Sequence, residues 1–249
     1  MQSAFFALAL FVGCLIHAYP LPAQTPAGHV RRDTLTLFDT VRHRPIPVAL
    51  YVPVAASSGP RKLAILSHGY GGTNKAYSFI AHNLVAHGYV VASIQHELPT
   101  DEPMPTTGKP YDVRMPNWQR GVQNIRFVVR ELKRRETQLD VGQLLLVGHS
   151  NGGDMSALYA RQFPDDVVNL ITLDNRRMPL PRTRRPRVLS LRSSDQPADE
   201  GVLPTPTEQQ TLGIRIVALP DTRHNDMWDG ATESQKAEMN RYISAFLAP

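Results

Sequence analysis

The stretch Leu144-Leu145-Leu146-Val147-Gly148-His149-Ser150-Asn151-Gly152-Gly153 joins an unbroken apolar run to a G-x-S-x-G sequence, and Met155, Leu158, Tyr159 and Phe163 follow it at helical spacing. A continuous apolar run is what a parallel strand covered on both faces presents. Strand, tight turn and helix in that order place Ser150 on a sharp bend, where a serine hydroxyl stands clear of its neighbours. Gly148 and Gly152 supply the room such a bend needs, and the helix N-terminus favours negative charge developing beside it. The spacing therefore predicts Ser150 as a nucleophile.

Outward from this turn, the same alternation of strand and helix repeats. Leu63–Leu66, Tyr89–Ile94, Val167–Leu173, Arg187–Leu191 and Ile214–Leu219 read as strands. Helical spacing appears at Tyr77, Ile80, Ala81, Leu84 and Val85, again over Trp118–Arg135, and last at Met239, Tyr242, Ile243, Phe246 and Leu247. Thr34–Phe38 and Pro45–Pro53 form a strand pair ahead of these, the second predicted at a sheet edge because proline cannot donate to a ladder. The pattern predicts a mostly parallel, eight-stranded sheet with helices on both faces. Leu98–Pro116, with five prolines, is expected as a long loop walling the site.

A serine hydroxyl needs a base and a place for the oxyanion. His224 is the only histidine after Ser150, and it lies in the loop Pro220–Asp226 after the last strand, so it is the expected base. Ser67-His68-Gly69-Tyr70-Gly71-Gly72 follows the Leu63–Leu66 strand, and the backbone N–H groups of Tyr70 and Asn151 are the expected oxyanion donors. The residues alone leave the acid open between Asp174 and Asp195, since both follow strands that end at the same rim.

Composition narrows the class. A hydrophobic fraction of 42% with 20% charged residues is that of a soluble globular chain, and a net charge of +5 over 249 residues is too mild to imply nucleic acid. The expected partner is a small-molecule ester; no stable protein partner is implied, and membrane contact stays open. Residues 1–23 read as a signal peptide cleaved near Ala23, or at Ala18, although the usual basic start is missing. This leaves 24–249 as one domain, secreted or periplasmic. Cys14, the sole cysteine, sits in a setting that fits a lipoprotein anchor poorly. A mature chain without cysteine has neither disulfides nor a Cys-ligated metal.

The run SHGYGGTNKAYSFIAHNLVAHGYVVASIQHE from Ser67 to Glu97, with GHSNGG, LDNRRMPLP and the His224 loop, resembles the platelet-activating-factor acetylhydrolases and their dienelactone-hydrolase-like relatives. The resemblance implies the α/β-hydrolase fold and a cofactor-free, metal-free serine esterase working through an acyl-enzyme. It implies Asp174, in an L-D-x-x-x-x-P setting, as the acid, whereas Asp195 holds the commoner position. Peptidase, amidase or lactone-hydrolase chemistry uses the same triad, and a silent binding protein is the rival of another class. Only about a dozen residues separate the sixth and seventh strands, so no large lid is expected there. Those residues are rich in arginine, and Arg176 and Arg177 are the candidates to receive an anionic substrate group.

Overall fold

The computed structural model describes residues 30–54 and 59–248. The leader expected over 1–23, with Cys14, lies outside the described residues. The strands are β1 (Val30–Asp39), β2 (Arg44–Pro53), β3 (Arg61–Ser67), β4 (Tyr89–Ile94), β5 (Leu139–His149), β6 (Val167–Leu173), β7 (Arg187–Arg192) and β8 (Arg215–Ala218). They form one sheet in the order β1-β2-β4-β3-β5-β6-β7-β8, and only β2 runs against the others.

Period-two alternation sorts the apolar residues onto two faces. Leu63, Ile65, Leu144 and Leu146 point to one side, and Ala64, Leu66, Leu145 and Val147 to the other. Helices α3 (Met115–Arg135) and α4 (Asn151–Gln162) cover the first face through Trp118, Ile125, Met155 and Leu158. Helices α1 (Ser78–Ala86) and α6 (Glu233–Leu247) cover the second through Ile80, Leu84, Ile243 and Phe246. The short helices α2 (Pro110–Val113) and α5 (Pro206–Leu212) complete the set among the described residues.

Two expectations are corrected. β2 is not an edge strand: it pairs with both β1 and β4, and β1 is the edge. Its prolines are tolerated because pairing with β4 runs only from Val48 to Tyr51, so Pro45, Pro47 and Pro53 lie outside that ladder. The Leu98–Pro116 loop also carries structure, since α2 and the first residues of α3 fall within it.

The chain after β3 turns to one face into α1, whereas the chain after β5 turns to the other into α4. Adjacent parallel strands whose connections part in this way leave a crevice at their carboxyl ends. Ser67 pairs with Gly148 at that point, so Gly69 and Ser150 meet across the crevice.

Candidate active site

Ser150 opens α4 with φ 51° and ψ −119°, a backbone region that non-glycine residues rarely occupy. The bend is held by its surroundings. Ser150 N–H donates to the Leu173 carbonyl at 2.8 Å, and a Cβ on Gly148 would lie 2.3 Å from the Gly152 carbonyl oxygen. A Cβ on Gly152 would lie 2.3 Å from the Ser67 carbonyl oxygen, so both glycines are required by close approach of backbone.

Three of the sequence-predicted residues form one hydrogen-bonded line. His224 Nε2 lies 2.9 Å from Ser150 Oγ, and His224 Nδ1 lies 2.5 Å from Asp174 Oδ2. With Nδ1–H donated to the carboxylate, Nε2 is left as the acceptor facing the serine hydroxyl. Asp174 follows β6 with φ 53° and is fully buried. Burial pushes its pKa up, but the His224 hydrogen bond, the Arg192 charge and the Ser193 hydrogen bonds outweigh it and hold the carboxyl below the usual aspartate range. Arg192 Nη2 lies 2.9 Å from Asp174 Oδ1, and Ser193 donates both N–H and O–H to the same carboxylate. Asp195, the other candidate acid, does not reach the imidazole; its Oδ1 accepts the backbone N–H of His224 at 2.7 Å. One aspartate thus holds the ring and the other holds the loop that carries it.

The turn after β3 packs against the serine, for a Cβ on Gly69 would lie 3.4 Å from Ser150 Cβ. Tyr70 lines the same cleft as Ser150 and Asn151. As the first residue of α4, Asn151 has a backbone N–H that the helix leaves without a partner. Its side chain is fully engaged: Oδ1 accepts from Trp118 Nε1 at 2.8 Å, and Nδ2 donates to Glu97 Oε1 at 3.1 Å and Asn117 Oδ1 at 3.0 Å. Burial raises the Glu97 pKa to about 7.

Several residues around the site were not found by sequence reasoning. His149 is buried, and desolvation, reinforced by the charge of His224, lowers its pKa to about 3, so it is neutral. Its Nδ1 lies 2.8 Å from Tyr77 Oη, which itself accepts the Gly69 N–H at 3.2 Å. Asp154, one turn into α4, accepts the backbone N–H groups of Arg176, Arg177 and Met178 on Oδ1. The signal that could have found Asp154 is a carboxylate in the first turn after Gly152-Gly153, whereas Tyr77 reads simply as an apolar position at the start of α1.

The cleft at Ser150 has a volume of about 150 Å3, and Arg114, Arg176 and Arg177 are on its wall. Arg176 hydrogen-bonds Gln196 and the Pro197 carbonyl, and Arg177 pairs with Asp199. A larger cavity of about 390 Å3 lies by the β1–β2 turn and the start of α3, and none of its lining residues belongs to the Ser150 cleft. Among the described residues, no group of three or more His, Cys, Asp or Glu side chains is placed to hold a metal ion.

A doubly covered, mostly parallel sheet with the serine on the strand-to-helix bend after β5 and the histidine after β8 is the α/β-hydrolase fold, and the chain has that fold. Residues 58–173 match the family model described as serine aminopeptidase, S33. Among solved structures, a ferulic acid esterase from Streptomyces cinnamoneus superposes with a TM-score of 0.66 at 19% identity, over 91% of each chain. An esterase from Pyrobaculum calidifontis superposes with a TM-score of 0.61 at 16% identity, over 87% of this chain and 84% of that one. A protein assigned as a dienelactone hydrolase from Klebsiella pneumoniae superposes with a TM-score of 0.62 at 15% identity, over 88% of this chain and 99% of that one. No curated protein matches the sequence.

Proposed function

We propose that the chain is a serine esterase that hydrolyses small carboxylic esters through an acyl-enzyme on Ser150. The observation that carries this reading is the line from Asp174 through His224 to Ser150, with separations of 2.5 and 2.9 Å. His224 Nε2 takes the hydroxyl proton as Ser150 Oγ attacks the carbonyl carbon. The N–H groups of Tyr70 and Asn151 hold the oxyanion, and Asp174 stabilises the imidazolium. The C–O bond to the alcohol then breaks, and the alcohol leaves with the proton from His224. Water attacks the acyl-enzyme with His224 again as base, releasing the acid and restoring Ser150. Apart from the ester and water, each step uses groups of the chain itself.

A cleft of about 150 Å3 is small beside sites for drug-sized ligands, which favours short acyl chains. That superposing structures include esterases adds weight to ester chemistry. The match of residues 58–173 to a serine aminopeptidase model keeps amide cleavage as the second reading. Export is part of the proposal: the apolar stretch Ala4–Ala18 followed by Leu21-Pro22-Ala23 supports a cleaved leader and a secreted or periplasmic enzyme.

Parallel turnover of 4-nitrophenyl esters and aminoacyl anilides tests the reading. The expected result is ester turnover by wild type, loss of at least about 10⁴-fold in kcat in Ser150→Ala, and fluorophosphonate labelling confined to Ser150. Turnover of anilides in preference to esters would replace the esterase by the peptidase, and an unlabelled Ser150 would remove both.

A further inference from the structure

The wall of the cleft beside Ser150 carries more positive than negative charge. Arg114, between α2 and α3, and Arg176 and Arg177, in the loop after β6, line it together with Ser150. The acidic residue there, Asp154, is buried, and its Oδ1 is occupied by three backbone N–H groups. Arg176 and Arg177 are held by Gln196 and Asp199, which fixes where their guanidinium groups sit. Arg114 is less fully engaged: its Nε is buried without a hydrogen bond among the described residues. Burial lowers the pKa of Arg114, and the charges of Arg177 and Arg176 lower it further against the opposing pull of Asp154 and Asp199, so the cations are close enough to feel one another. Three guanidinium groups against the carboxylates of Asp154 and Asp199 leave an excess of positive charge around one small cleft, which an entering anion offsets.

We propose that Arg114, with Arg176 and Arg177, forms an anion subsite beside Ser150, and that the ester cleaved there carries a carboxylate on the part entering the cleft. The subsite rests on the esterase reading and names its substrate class. Guanidinium offers a planar fork that matches a carboxylate, and both ends of a short dicarboxylic chain fit a cavity of about 150 Å3. The carboxylate end would pair with Arg114 while the esterified end faces Ser150. In an apolar cleft the neutral ester of equal length would bind better; here the charged one should.

Two matched pairs test this: 4-nitrophenyl hydrogen glutarate against 4-nitrophenyl valerate for the acyl side, and 4-acetoxybenzoate against 4-methylphenyl acetate for the alcohol side. In wild type the kcat/KM ratio of anionic to neutral ester should reach about tenfold in one pair, and it should shrink toward one in about 0.5 M NaCl. Arg114→Gln should lower that ratio about tenfold, chiefly through KM, and Arg114→Lys should lie between. Each ratio comes from one preparation, so a misfolded fraction cancels. Arg177→Gln carries the same test if Arg114→Gln is insoluble, and Arg241→Gln, on the exposed face of α6, should leave the ratio unmoved. A wild-type ratio of one or less in both pairs, or a ratio indifferent to Arg114 and Arg177, overturns the subsite while the esterase stands. Absence of turnover of all four esters overturns the esterase and the subsite with it.

Discussion

The neutral ring of His149 lies with Nε2 3.1 Å from the carbonyl oxygen of His224, so the residue before the serine holds the backbone of the residue that faces it. Through Nδ1 the same ring takes the Tyr77 hydroxyl, and Tyr77 Oη accepts the Gly69 N–H. One imidazole therefore joins the loop after β8 to the turn after β3. Tyr77→Phe removes the link to Gly69 and His149 without changing ring volume. It should destabilise the fold by about 1–3 kcal/mol, the usual cost of leaving buried polar groups unpaired. Because the turn bearing Tyr70 is then free to shift, kcat should fall about 10- to 100-fold with little change in KM. Urea unfolding and ester kinetics on the same preparation check both; an unaltered kcat would make Tyr77 a packing residue only.

Asp174 and Asp195 should separate cleanly by mutation. Asp174→Asn offers the imidazole an amide in place of a carboxylate, which loses the charge that stabilises imidazolium and permits the wrong tautomer. A loss of about 10⁴-fold in kcat is the expected scale. Asp195→Asn keeps an oxygen able to accept the His224 N–H, so its kcat should stay within about tenfold of wild type. A larger loss in Asp195→Asn than in Asp174→Asn would reverse the assignment.

What the sequence made legible divides along chain distance. The Ser150 turn is local: strand, glycines and helix lie within a dozen residues, so its pattern and its strain share one segment. His224 followed from chain order. The choice between Asp174 and Asp195 needed the third dimension, because adjacent strands end at one rim and only their side-chain directions differ. The Tyr77–His149 contact spans 72 residues and leaves no mark on either segment's periodicity. Helix α5 was missed because it buries none of its residues, though Thr205 and Glu208 spell a capping box that marks its start. Proline in β2 misled for a different reason: it excludes a strand from one ladder position, not from the sheet interior.

Glu97 should make stability depend on pH. Its pKa is raised by burial from 4.5 to about 7, so between these values the folded state holds a proton that the unfolded state has lost. Stability is then fully present below about pH 4.5, declines as pH rises toward 7, and is level above, with a span of about 3 kcal/mol. Glu97→Gln removes the titration and keeps an oxygen for Asn151 Nδ2. The variant should match wild type near about pH 5 and exceed it by up to about 3 kcal/mol near about pH 8. Urea unfolding at both pH values decides; an equal difference at both would mean that Glu97 ionises normally.

Asp154 ties the start of α4 to the loop that carries Arg176 and Arg177, and its removal leaves three backbone N–H groups without an acceptor. A buried donor left unpaired costs about 1–3 kcal/mol; with the Met178 N–H buried and the other two part-buried, Asp154→Ala should destabilise by about 3 kcal/mol. Asp154→Asn retains the Oδ1 acceptor and brings an amide that must find its own partner, so its cost should be smaller. The two variants also separate charge from geometry in the cleft. If Asp154 acts mainly by holding the loop, Asp154→Asn keeps ester KM near wild type while Asp154→Ala raises it. Equal KM in the two variants, with equal loss of stability, would mean that its negative charge matters and the three hydrogen bonds do not.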